Sequence, residues 1–139
     1  MNRLRDIKLG ITAFFTVCSS LLGSLAMPVY ILVLLNGIDY ATGLLAAPFR
    51  HEKVNSYKGV RGIAKKVCMW LLIGVGAIVD WLIVYTGLES PLNNLAGSAV
   101  AVWLIVNELI SILENIGDTG VPVPAFLEKA IDLVKEKNS

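Results

Sequence analysis

Three acidic residues, Asp39, Asp80 and Glu108, stand as the single charges inside otherwise apolar runs, 9–49, 67–88 and 91–113. A carboxylate in a membrane-spanning helix costs roughly 2.5–3.5 kcal/mol on insertion scales, so each needs a partner or water. Helical spacing groups the polar side chains around them. Asn36, Asp39, Tyr40 and Gly43 follow i, i+3, i+4, i+7 and share one face. Asn107, Ser111 and Glu114 share another face, which Glu108, Ser111 and Asn115 overlap. Asp80 has no such companions and, counted from Val67, falls about 20 Å along its helix, half way through a span. Such groups can glue helices together, or they can face a water-filled passage and link subunits. Covalent chemistry finds no support. His51 is the lone histidine and lies in a basic stretch. No Ser-His-Asp set, phosphate-binding loop or metal-ligand spacing occurs, so no catalytic, cofactor or metal residue is expected.

The elements that must carry these residues follow from composition. The chain has 139 residues, of which 55% are hydrophobic, with a mean hydropathy of +0.69. The three apolar runs hold 3 charges and the rest of the chain holds 20. A water-soluble helical fold needs charge along every exposed face, and a disordered chain needs far less apolar content. An all-α integral membrane bundle remains. Runs 67–88 and 95–113 each supply one span. The first run is too long for one: as a single helix it would extend about 60 Å, twice the hydrocarbon thickness. Gly23-Ser24 and Met27-Pro28 divide it into helices at about 9–25 and 28–47, joined by a tight turn.

Charge placement tests that count. All twelve Lys and Arg residues fall in three places: Arg3, Arg5 and Lys8; then Arg50, Lys53, Lys58, Arg61, Lys65 and Lys66; then Lys129, Lys135 and Lys137. Four spans put all of them on one side, which predicts that both termini are cytoplasmic. The alternative is a cleaved signal peptide over residues 1–26, which leaves three spans with the same orientation. The basic segment 50–66 is expected to be a topology-fixing loop that could also hold anionic lipid heads. Nothing in it suggests nucleic-acid binding. Cys18 and Cys68 read as two lone packed thiols. Pairs with small-xxx-small spacing, Gly37/Ala41, Gly43/Ala47 and Gly97/Ala101, favour close helix contact, while Gly74 and Gly76 either loosen the third helix or let it pack closely. The transmembrane part is expected to end near residue 115. A Gly- and Pro-rich loop and a short amphipathic helix over 125–137 form the remaining tail, 116–139.

Five segments, in order, carry a resemblance. Asp39-Tyr40-Ala41-Thr42-Gly43, followed by Ala46-Ala47, resembles the D-Y-x-T-G motif of a phage holin family that also includes toxin-secretion proteins. The run from Ser56 to Lys66 is similar to its S-x-K-G-x-x-G-x-x-K-K segment. Asp80 matches an aspartate of the next span, and the run from Asn107 to Asn115 resembles N-E-x-x-S-I-x-E-N. Gly120-Val121-Pro122-Val123-Pro124 matches the G-x-P-x-P loop that follows. Together they cover residues 32–129; the first 30 residues match only in being apolar. The resemblance implies a non-enzymatic protein that self-associates into a homo-oligomer in the bacterial cytoplasmic membrane. It also implies lesions that let a muralytic endolysin, or a signal-less toxin, cross to the wall. The residues alone leave two other readings open: a small proton-coupled transporter and a non-pore membrane assembly protein.

Overall fold

The computed structural model describes residues 2–51, 56–88 and 95–137. They form five α-helices: α1 Asn2–Leu22, α2 Ala26–Ala46, α3 Ser56–Tyr85, α4 Ala96–Asp118 and α5 Ala125–Lys137. No strand occurs among the described residues. Three helical stretches are long and apolar enough to cross a membrane, 3–46, 59–85 and 96–118.

The first stretch is broken where the sequence predicts. A single 3-10 turn, Gly23–Leu25, separates α1 from α2. Gly23 has φ 54°, a left-handed conformation that a side chain resists. Pro28 lies in the first turn of α2, where a missing N–H costs nothing because that group has no helical acceptor. The chain then doubles back. Ser19 Oγ meets Tyr30 Oη at 2.9 Å, and the Phe15 ring packs edge-on to Tyr30 with centroids 5.5 Å apart. Each of the two helices is 21 residues, about 32 Å long.

The basic segment differs from expectation. It is not a loop throughout: α3 begins at Ser56, so Arg61, Lys65 and Lys66 are helical. A 30-residue helix extends about 45 Å, longer than a hydrocarbon core, and its first turns project beyond the apolar run. Arg50 sits in the turn after α2, and His51, at φ 52°, adopts the left-handed conformation there. Lys53, the Lys58 side chain and the connector 89–94 lie outside the described residues.

α4 is the central element. It packs against both α2 and α3, whose backbones do not approach each other. Leu25, Val29, Leu32, Ile73 and Leu104 form the buried core, with Leu104 fully enclosed. Most other large apolar side chains face outward. In water such a surface would be an aggregation hazard; against lipid tails it is the ordinary exterior. Gly37 and Ala41 belong to that exterior, so their spacing makes no helix contact within this bundle. Cys68 also faces outward and is not a packed thiol.

Asp80 is neither alone nor half way along the bundle. Its carboxylate accepts from the Ala96 and Gly97 backbone N–H groups, at 2.9 and 2.8 Å. These are two of the unsatisfied donors at the start of α4, whose own N-cap position, Leu95, supplies no side-chain cap. The helix dipole adds to the attraction. The approach needs glycine on both helices, because Gly76 faces the Gly97 backbone and Leu25 closes over Gly97.

Gly76→Ala would place a Cβ 2.9 Å from the Gly97 Cα. We expect a loss of about 1–3 kcal/mol in detergent unfolding, as α3 and α4 are forced apart. Gly74→Ala, whose Cβ meets nothing within 4 Å, should leave the midpoint unchanged or raise it. Equal midpoints for the two variants would refute the close crossing.

Candidate functional site

At the other end of α4 the two remaining carboxylates converge on one cation. Lys66 Nζ donates to Glu108 Oε2 at 2.6 Å, to Asn36 Oδ1 at 2.9 Å and to Asp39 Oδ2 at 3.0 Å. Three helices thus meet at one ammonium: α2 supplies Asn36 and Asp39, α3 supplies Lys66, and α4 supplies Glu108. An ammonium has three protons and no acceptor, so these contacts use its full donor capacity. Glu108 is nearly enclosed, and the Asp39 side chain is 15% exposed against 28% for Lys66.

The network continues through Asn115. Its Nδ2 donates to Asp39 Oδ1 at 3.0 Å and to Thr42 Oγ1 at 3.1 Å. Thr42 in turn donates to the Ile38 carbonyl at 2.9 Å. Arg50 Nη2 donates to Asn115 Oδ1 at 2.6 Å, and Arg50 Nε pairs with Asp118. Gly43 leaves room for the Asn115 amide, which lies in ordinary contact with the position a Cβ would take. The chain of contacts runs from Glu108 through Lys66, Asp39 and Asn115 to Arg50 and Asp118. Three carboxylates and two cations leave one negative charge. No buried side-chain nitrogen or oxygen among the described residues lacks a partner.

The expected residues divide accordingly. Asn36 and Asp39 lie together on α2 as their helical spacing suggests, and Glu108 joins them from α4 through Lys66. Asp80 is about 21 Å away from Lys66 along α3 and belongs to the other end. Asn107 and Ser111 make no ion pair or hydrogen bond with the cluster; they line an open cavity of about 530 Å³ that Asp39, Lys66 and Glu108 line as well. Lys66 and Arg50 require correction. Expected as topology-fixing loop charges, they are the two cations that pair with the carboxylates of the cluster. Arg61 remains exposed, and Lys53 lies outside the described residues. Sequence reasoning placed Asn115 on the polar face of its helix without a partner, and gave Thr42 no site role. Their signals were present: Asn115 stands two turns after Glu108, and Thr42 lies three residues after Asp39. Among the described residues no group of three or more His, Cys, Asp or Glu could hold a metal ion.

A model of the bacteriophage holin family matches residues 16–136. The chain belongs to that family. Its relatives include an uncharacterized protein of Halalkalibacterium halodurans, 39% identical over 121 residues and 87% of each chain. An uncharacterized protein of Clostridium perfringens is 35% identical over 136 residues, 96% of this chain and 93% of its own. A more distant relative from Bacillus phage phi105, 26% identical over 78% of this chain and 74% of its own, is named a probable holin. No solved structure matches the chain. The matched region contains every residue of the charge cluster.

Breaking a buried ion pair by removing one partner typically costs about 3–5 kcal/mol, because the other charge is stranded. Lys66→Met should therefore lower stability in detergent by about 3 kcal/mol. Adding Asp39→Asn and Glu108→Gln to it should recover part of the loss. If the triple variant is less stable than Lys66→Met, the carboxylates do not depend on Lys66 for neutralisation.

Proposed function

We propose that this holin-family protein self-associates in the bacterial cytoplasmic membrane and opens lesions there. A cytoplasmic endolysin, or a toxin without an export signal, then passes to the wall. The carrying observation is the charge cluster of Lys66, Asp39 and Glu108 inside a bundle whose exterior is apolar. In a single copy Lys66 pairs both carboxylates, and the three side chains face an open cavity at the edge of the bundle. Against lipid each would cost roughly 2.5–3.5 kcal/mol; against water in a lesion it would not. Assembly that admits water therefore relieves a constraint that dispersed copies must satisfy internally. No bond is made or broken in this work, so no enzyme chemistry is invoked.

The proposed topology has four crossings, with both termini and the basic segment cytoplasmic. The 21-residue lengths of α1 and α2 support it, as does the reversal at Gly23. Residues 1–115 form the membrane part and 116–139 a cytoplasmic tail. Asp39, Glu108, Asn36, Asn107 and Ser111 line the polar side that assembly exposes, while Asp80 holds α4 at the outer end.

Induced expression alongside a cytoplasmic endolysin should collapse the membrane potential abruptly, release a cytoplasmic reporter enzyme and lyse the culture. Growth with intact potential at full membrane expression would refute the proposal. Loss of potential with the reporter retained would indicate a selective conductor of small ions instead. Asp39→Asn and Glu108→Gln should shift the moment of lysis, whereas Lys129→Ala on the tail should not. Identical timing in all three would remove the carboxylates from the assembly step.

A further inference from the structure

A groove of about 470 Å³ lies between the last turns of α4 and the middle of α5. Ile110, Leu113, Val123 and Ile131 give it an apolar lining, and both helices add acidic residues to it. Glu114 and Asp118 stand on the α4 side, Glu128 and Asp132 on the α5 side. Arg50 engages Asp118. Glu114, Glu128 and Asp132 have no cationic partner among the described residues. Like charges facing each other across a cleft repel, so the groove lacks the positive charge that would hold its walls together.

The chain carries a segment of the complementary pattern. In the first turns of α1, Leu4, Ile7 and Ile11 form one stripe, flanked by Arg3 on one side and Lys8 on the other, while Arg5 lies farther round and pairs with Asp6 at 4.0 Å. An apolar ridge with basic edges matches an apolar lining with acidic edges. The ridge is unpartnered: Leu4 is 70% exposed and Ile7 is 51% exposed. Within one copy α1 packs on α2 and the turn at Gly23, and it reaches neither α4 nor α5. The lengths are also compatible. The turn after α1 is seated against Gly97 through Leu25. From Leu22 back to Leu4 is about 27 Å of helix, and from Gly97 to Glu114 about 26 Å. With both segments on one side of the membrane, α1 of one copy is long enough to reach the groove of another.

We propose that the groove between α4 and α5 receives the basic first turns of α1 from a second copy of this chain. The contact is head-to-tail, so each copy offers one ridge and one groove and the array can extend. The proposal rests on the topology above, which puts both segments on one side of the membrane.

Disulfide cross-linking of the full chain in membranes tests it, in a Cys18→Ala, Cys68→Ala background. One copy carries Ile7→Cys and a differently tagged copy carries Ile131→Cys. Oxidation should yield a dimer holding both tags. Reversing the ridge (Arg3→Glu, Arg5→Glu, Lys8→Glu) should lower that yield about tenfold. Reversing the groove as well (Glu128→Lys, Asp132→Lys) should restore it, which a misfolded variant could not do. A yield indifferent to charge reversal would overturn the proposal, as would cross-linking only within one chain that bears both cysteines. A membrane-impermeant maleimide, applied to right-side-out and inverted vesicles, reports the sides separately. Labelling of the two cysteines from opposite faces overturns the topology and the groove with it. Labelling from one face without a mixed dimer overturns the groove alone.

Discussion

The bundle depends on giving Asp39 and Glu108 a cation where their helices meet, and Lys66 is the one they share. The backbones of α2 and α3 do not approach each other, so the Lys66 side chain is what reaches from α3 across to α2. A lysine suits the position. Its four-carbon stem lies along apolar surface while the ammonium extends to its acceptors. A compact charge with three donors can serve a carboxylate on each of two helices and an amide besides, which a planar guanidinium fork would do less readily. Glu108 gives the shortest of the three contacts and is the more enclosed acid, so α4 holds the ammonium most firmly.

The two ends of α4 are built on different physics. At one end, Asp80 satisfies backbone donors and two glycines let helices touch. Shape and fixed dipoles define that joint, and an open cavity of about 450 Å³ lined by Asp80, Ala77 and the turn at Gly23 lies beside it. At the other end, long side chains span gaps beside cavities, and the groups they join are ones that water solvates well. One end of the bundle is thus joined by packing and backbone hydrogen bonds, the other by ion pairs between long side chains.

Much of this was legible in the residues, for identifiable reasons. Isolated charges in apolar runs marked the spans, and Gly23 marked the break because left-handed backbone selects glycine. Periodicity placed Asn36 with Asp39 on one face of α2. It could not say which face of α3 that stripe would meet, so Lys66 read as one more topology charge. Asp80 seemed solitary because its partners are backbone N–H groups, which every residue but proline offers and no composition reveals. The start of α3 was missed because residues 56–66 carry charges and two glycines in place of an apolar stripe. Gly37 and Ala41 show the opposite failure. Their spacing suits helix contact, yet that face of α2 looks outward within the bundle.

The net charge of +1 acquires meaning once its parts have places. Proteins that crowd in one membrane plane repel if each carries a large charge of one sign. Near-neutrality removes that barrier to close lateral approach. Neutrality alone would leave orientation unspecified. Here the cancelling charges are far apart in the chain: basic residues edge the first turns of α1, and acidic residues wall the groove between α4 and α5. A neutral molecule with opposed charged edges attracts its neighbours in one register and resists the others. The same composition that lets copies accumulate can thus set the geometry in which they pack.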